Sequence, residues 1–495
     1  MTVVRAVVVA VLVGFDWAVI GYFVAINTSY FLLLMLAATE FVRYLRWLPF
    51  VGYEETRASP LSPPVSIIVP AYNEEAGIAT SVSAMLALQY PEFEVVVVID
   101  GAKDRTFEVL RESFDLVEVP RVVTAEIPVR AQPTGIWVPR GNAPLTVVVK
   151  NNSGRADSLN LGINVARYPL VCMVDADSIL DAESLLHVAQ PFVDDPDRVV
   201  ASGGVIRAAN GCTVRHGRIV EVRMPREWLA RIQVVEYLRA FLLGRTGWSK
   251  LNALLVISGA FGLFRRDVLV AAGGLDAGCI GEDAELVVRI HRMMREAHRD
   301  YRVVFVAEPV SWTEVPTTLK VLGRQRRRWS RGLAEIVWRH RGMILNPRYG
   351  RIGLVALPYY ILFELLAPII EVTGVFAVIL GVALGLVNLT FGALFLLVAV
   401  LYALALSIAS LLLEEVSFHR YRRWRDLGTA VVVSLIENVG YRQATAVFQL
   451  QGLWAAIRGG QQVWGDMARA GFVTTSTATT STATTSPGGD RESRP

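Results

Sequence analysis

Hydrophobic and polar positions divide the chain into an apolar start, a long patterned middle and a second apolar region. Residues 6–38 are nearly all apolar, interrupted by Asp16 and by a polar patch at Asn27 to Ser29. A spanning helix needs about 20 apolar residues, so this stretch predicts one long tilted helix or two tight ones. A signal peptide is the competing reading, but the run is too long for one and only Arg5 precedes it. Apolar runs return at 354–387 and 391–413, separated by the uncharged VNLT. Pro358, Glu364 and Pro368 predict that the first of these is broken or lies at the interface. Residues 429–449 are ambiguous, because Glu437, Asn438 and Arg442 are costly in lipid unless they face protein.

The middle alternates between strand and helix patterns. VSIIVPAYNEE (65–75) reads as a buried strand leading into a helix, and EVVVVIDG (94–101), LTVVVK (145–150) and LVCMVDAD (170–177) read as further strands. Unbroken Val and Ile runs separated by helical stretches predict a mostly parallel sheet covered on both faces. GEDAELVVRIHR (281–292) predicts a helix start, with Leu286, Ile290 and Met293 or Met294 as its apolar face. EWLARIQVVEYLRAFLLGRTGWS (227–249) has helical spacing, scattered arginines and the aromatics Trp228, Tyr237, Phe241 and Trp248. It predicts an amphipathic helix on the membrane surface, against the plainer reading of a core-facing helix. Residues 116–146 contain five prolines and carry no interpretable motif.

Composition supports a membrane protein with a large water-exposed part: 53% of 495 residues are hydrophobic, and mean hydropathy is positive. The net charge of +4 names no partner, and no nucleic acid is expected. The arginines, however, are clustered. RQRRRWSR (324–331) stands just ahead of the second apolar region, and RYRRWRDL (420–427) follows it. Lys and Arg are enriched in cytoplasmic loops. On that rule Arg43 and Arg46, residues 324–351 and residues 420–425 all face the cytoplasm, with two spans between the last two. Cys172, Cys212 and Cys279 lie far apart with no C-x-x-C pair, which argues against a zinc site or a disulfide framework. The predicted organisation is an anchor at 1–47, a linker at 48–64, an α/β domain at 65–350, transmembrane helices at 351–415, a basic loop with an interfacial or transmembrane helix at 416–470, and a disordered polar tail at 471–495.

Candidate chemistry gathers at strand ends. Ligands of open parallel sheets bind beyond the carboxyl ends of strands, and Asp100, Asp175 and Asp177 all fall there. A lone Asp after a strand is usually a turn or cap; three at one sheet edge favour a site. Asp175 and Asp177, two apart, suit a hard cation shared with substrate phosphates. Glu282 and Asp283 open a helix. Acidic residues there compensate the helix dipole, or one serves as a general base beside a diphosphate; local sequence does not choose.

Together these stretches resemble the membrane-embedded family 2 glycosyltransferases, the group of cellulose, chitin and hyaluronan synthases. The resemblance covers roughly residues 20–470 and rests on four motifs in order: Asp100; Asp175-Ala-Asp177; Gly281-Glu282-Asp283; and Gln325-Arg326-Arg327-Arg328-Trp329. Each alone is weak. The resemblance implies a GT-A nucleotide-sugar fold inserted between N- and C-terminal transmembrane helices, and inverting transfer at the cytoplasmic face of the plasma (inner) membrane. Asp100 would recognise the nucleotide base, and Asp175 and Asp177 would hold Mg²⁺ or Mn²⁺ with the diphosphate. Asp283 would be the base. Arg155, Gln325 and Arg328 would bind the donor, and Trp329 the acceptor. Arg324 and Arg331 are read as topology signals only. The sequence departs from the family in GRADSLN, where Arg155 replaces a lysine, and in Asp100-Gly101-Ala102, which lacks the usual serine. Three functions compete: processive glycan synthesis from a nucleotide sugar, UDP-linked as the resemblance implies; transfer of one sugar to a lipid acceptor; and a non-catalytic transporter or scaffold.

Overall fold

The computed structural model describes residues 2–47, 62–385, 389–418 and 424–459. Most of the expected linker, the basic stretch at 419–423 and the whole of 460–495, with the expected tail, lie outside the described residues.

Four strands form the heart of the domain: β1 (Val65–Ala71), β2 (Phe93–Asp100), β5 (Leu145–Lys150) and β6 (Leu170–Val174). They are the four that the Val/Ile runs predict, and they pair in parallel in the order β5-β2-β1-β6. β3 (Leu116–Glu118) and β4 (Pro133–Pro139) extend one edge antiparallel. The proline-rich stretch without a motif is therefore a sheet edge, where missing N–H groups are tolerated. Beyond β6 the sheet continues through β11 (Phe261–Arg265), β8 (Val199–Ala208), β12 (Arg302–Thr313) and β7 (Ile179–Leu180), giving ten strands. A small antiparallel pair, β9 (Thr213–Arg215) and β10 (Arg218–Glu221), stands apart. Val65, Ile67, Ile68 and Val69 of central β1 are fully buried. The helix Arg155–Val165 lies directly on this strand, because Gly162 has no side chain: a Cβ there would come within 2.2 Å of Ile68 Cγ2.

The N-terminal apolar stretch is one helix, Thr2–Trp47, which decides between the two readings of its length. Three helical segments are long and apolar enough to cross a membrane: Trp17–Arg43, Ile352–Ala383 and Gly392–Leu413. The second is broken where Pro358 and Glu364 predict. π-helical turns Ile352–Ala356 and Ile361–Leu365 flank the short helix Leu357–Tyr360, and a regular helix resumes at Ala367. Residues 429–449 form no candidate span. They belong to helix Trp424–Ile436, a π turn Glu437–Tyr441 and helix Arg442–Arg458. Helix Arg442–Arg458 packs along the arginine helix Leu319–Arg339, with Gly323 against the Phe448 ring and Gly452 against the Arg327 carbonyl.

One expectation is corrected. Residues 227–249 are not a helix lying on a membrane surface. Helix Trp228–Leu238 packs on β8 and on helix Trp424–Ile436, and Thr246–Lys250 packs on the N-terminal helix. Its apolar residues surround the axis instead of forming one stripe, and Leu229, Ile232, Val235, Leu238, Phe241 and Trp248 are all buried. Only Trp228, of the four aromatics, is well exposed.

A buried histidine behind the site gives the domain a pH dependence. His291 Nε2 donates to the Leu254 carbonyl at 2.8 Å, so Nδ1, 2.7 Å from the Tyr301 hydroxyl, accepts in the neutral ring. Burial pushes this imidazole down to about 4. An unfolded histidine binds its proton near pH 6.5. The contribution is therefore complete above about pH 6.5 and is lost as pH falls toward about 4, to the extent of about 3 kcal/mol. Urea midpoints measured from pH 7 to 4.5 should fall more steeply for wild type than for His291→Gln; equal slopes would refute this.

Candidate active site

The loop 151–154, between β5 and the helix Arg155–Val165, wraps around Asp100. Both oxygens of this carboxylate are engaged. Oδ1 accepts from Ser153 N at 2.9 Å and Oδ2 from Gly154 N at 2.9 Å, while Asn152 Nδ2 donates to the Asp100 carbonyl at 2.8 Å. Lys150 Nζ, fully buried, forms an ion pair with Asp100 and hydrogen bonds with Ser153, and lies 3.5 Å from Asp157 Oδ2. Burial pushes the Asp157 carboxyl up, but hydrogen bonds from Ser153 and the N–H groups of Arg130 and Ala131, with Lys150 nearby, hold it below the usual range. Gly101 has φ +61°, and a Cβ there would meet Asn152 N at 2.6 Å. The Asp-Gly pair is thus a backbone requirement as well as a chemical one.

Arg155 joins the other carboxylates. Its Nε and Nη2 donate to Asp175 Oδ1 at 2.9 and 2.8 Å, Nη1 to Glu282 Oε1 at 2.5 Å, and Nη2 also to the Gly259 carbonyl at 2.7 Å. Burial lowers the Arg155 pKa, but Asp175 and Glu282 outweigh it and hold the group firmly cationic. Burial raises Glu282 above its ordinary range against the pull of Arg155. Gly259 N–H donates to Asp283 Oδ2 at 3.0 Å, and Ala284 N–H to Oδ1 at 2.9 Å. One residue, Gly259, therefore orients Asp283 through its N–H and Arg155 through its carbonyl. Asp283 stands in the first turn of helix Glu282–Glu296, where the dipole favours the anion. Both border the cavity, but Glu282 is buried and ion-paired, whereas Asp283 is only half-buried.

Asp175 and Asp177 border the same cavity. Among the described residues no group of three or more His, Cys, Asp or Glu is arranged to hold a metal. Two carboxylates fit a hard cation whose remaining ligands come from a diphosphate and water.

The cavity measures about 2840 Å³ and is not confined to the sheet edge. It runs from Asp100, Asp175, Asp177 and Asp283, past Gln325, Arg328 and Trp329, to Tyr22, Tyr30, Tyr359, Glu364, Glu371 and Val378 of the apolar helices. Helix Leu319–Arg339 distributes its arginines by face. Gln325, Arg326, Arg328 and Trp329 line the cavity. Arg327 turns away to Gln451 at 2.8 Å. Arg326 is buried, binds Glu236 at 2.6 Å, and lies 4.7 Å above the Trp329 ring. Arg331 is tied at 2.9 Å to Glu335, whose other oxygen accepts from Ile280 N–H at 3.2 Å. Its reading as a topology signal alone is corrected: it braces the turn that leads into Glu282 and Asp283.

The structure brings every predicted site residue to one cavity. Sequence reasoning passed over Lys150, Asp157 and Arg326. A lysine closing a Val run was a usable signal for the first; the spacing of Arg326 and Trp329, three apart on a helix, was one for the last.

Comparison with known proteins follows the same lines. The chain is 27% identical over 316 residues to a poly-β-1,6-N-acetyl-D-glucosamine synthase from Staphylococcus epidermidis, covering 64% of this chain and 63% of that protein. It is 28% identical over 319 residues to the synthase of the same name from Staphylococcus aureus (strain COL), with the same shares. The chain thus matches less than two thirds of these relatives' length. A solved mannosyltransferase from Pyrobaculum calidifontis, in complex with GDP-Man and Mn²⁺, aligns over 86% of this chain and 99% of that one, at 20% identity and a TM-score of 0.49. The model of the glycosyltransferase-like family 2 matches residues 63–332, just over half of the chain. The chain belongs to the glycosyltransferase-like family 2.

Proposed function

We propose that this membrane glycosyltransferase is a processive, inverting polysaccharide synthase. It takes a sugar from a nucleotide-diphosphate donor, UDP-N-acetylglucosamine by the likeness to the staphylococcal synthases, and adds it to a growing glycan. The observation that carries this reading is the continuity of the cavity, which joins the strand-end carboxylates to the apolar helices without a wall between them. A single-transfer enzyme needs no such length.

The residues then take these roles. Asp100 and its loop hold the nucleoside end of the donor, and Arg155, Arg328 and Gln325 meet the diphosphate. Asp175 and Asp177 would hold Mg²⁺ or Mn²⁺, which supplies Lewis-acid stabilisation of charge on the leaving phosphate. Arg155 releases part of its grip on Asp175 to meet the diphosphate and keeps Glu282. Trp329 offers a flat face to the acceptor's terminal ring. Asp283, oriented by Gly259 N–H, takes the acceptor hydroxyl proton as that oxygen bonds to the anomeric carbon and the bond to the diphosphate breaks. The domain faces the cytoplasm, where nucleotide sugars are made, in keeping with the basic flanks.

The test is UDP release from a panel of UDP-sugars by the full chain in lipid nanodiscs, with Mg²⁺ or Mn²⁺. Release from UDP-N-acetylglucosamine, abolished by EDTA, with products many sugars long is the expected result. Products one sugar longer than the acceptor would favour the single-transfer reading, and no turnover of any donor the non-catalytic one.

A further inference from the structure

Arg245 lies outside all four motifs and in an unusual place. Helix Trp228–Leu238 runs into a π-helical turn, Arg239–Arg245, before helix Thr246–Lys250 begins. Such turns are frequent at functional sites, and Arg245 closes this one. Its guanidinium stacks over the Phe241 ring, 4.0 Å from the centroid. The stack fixes the side chain but leaves its edge unmet: Nη1 is enclosed and, among the described residues, has no hydrogen-bond partner. The neighbouring cavity arginines hold carboxylates, although Arg326 also keeps one enclosed N–H, at Nε, without a partner among the described residues. Arg239 is paired with Glu437 at 2.5 Å, and Arg326 with Glu236 at 2.6 Å.

An enclosed N–H without an acceptor is costly unless a ligand supplies oxygen. Arg245 borders the same cavity as Asp283 and as Tyr360 of the apolar segment Ile352–Ala383. Burial lowers its pKa, opposed by Tyr360, Asp283 and Tyr237, which are thus within electrostatic reach. On the proposed function, a growing glycan in this cavity passes within reach of that cation.

We infer that Arg245 is an acceptor-binding residue. Its unmet edge donates to hydroxyl or acetamido oxygens of the ring behind the acceptor's terminal sugar, and so aims the terminal hydroxyl at Asp283. A ring carrying a free amine is repelled. This rests on the transferase reading above.

The test uses the full chain in nanodiscs with the donor identified as above, and two soluble acceptors: tri-N-acetylchitotriose and its fully de-acetylated form. Arg245→Ala should raise the KM of the acetylated acceptor by about tenfold or more, move the donor KM less than twofold and erase the preference for the acetylated form. Arg245→Lys, which keeps the charge but not the fork, should fall between. The donor KM also reports that each variant is folded. An acceptor KM within twofold of wild type, or equal rises in both KM values, would overturn the assignment. A wild type that turns over no donor overturns the transferase reading and this assignment with it.

Discussion

Asp283→Asn should reduce kcat by about a thousandfold, within the range by which a positioned general base accelerates proton transfer. The substitution is nearly isosteric. The amide oxygen can still accept from Gly259 N–H, at the 3.0 Å now spanned to the carboxylate, and only the bond from the adjacent Ala284 N–H is lost, so the fold and the donor site survive. What is lost is the lone pair basic enough to take a proton from a sugar hydroxyl. Donor KM should stay close to wild type, and UDP release at saturating donor and acceptor is the measurement. A rate within tenfold of wild type would remove Asp283 from the mechanism and return attention to Glu282. The structure argues against that exchange: Glu282 is buried and spent on Arg155 at 2.5 Å, whereas Asp283 meets the cavity with only backbone N–H groups on its oxygens.

Lys150→Met should cost about 3–5 kcal/mol, the range for removing one partner of a buried ion pair. Methionine fills nearly the same space, but it leaves Asp100 and Asp157, at 4% and 2% exposure, without their cation. The midpoint of thermal unfolding should drop by roughly 10 °C or more. Adding Asp100→Asn should recover part of the loss, since it removes one of the stranded charges. An unchanged midpoint in Lys150→Met would mean that water or a loop rearrangement solvates the pair. The loop 151–154 would then not be held as described.

The parallel core was legible because its signal is local. Each of β1, β2, β5 and β6 is a short Val/Ile run, and Asp100 and Asp175 are fixed to strand ends by counting alone. The strands beyond β6, where antiparallel and parallel pairs mix, were not legible in the same way. β8 and β12 pair through contacts about a hundred residues apart, with register shifts that no short window contains. The helix at 227–249 was misplaced for a related reason. Its composition suits a membrane surface, but Trp248 and Leu238 are covered by segments far away in sequence. The choice between Glu282 and Asp283 was beyond local reading too. It turns on Arg155 and Gly259, which reach the pair from separate elements; the motif resemblance names Asp283, the residue proposed here as the base.

Gly281 and Gly332 meet back to back, the Cβ position of Gly332 lying 3.0 Å from Gly281 N and that of Gly281 3.5 Å from Gly332 Cα. A methyl group on Gly332 would press on the Gly281 backbone and push base and acceptor platform apart, whereas one on Gly281 would meet chiefly the flexible Ile336 side chain, at 3.0 Å. Two motifs that look independent along the chain therefore share one joint. The walls of the cavity can be remodelled without touching it, so new acceptor specificities should arise there sooner than at Gly332.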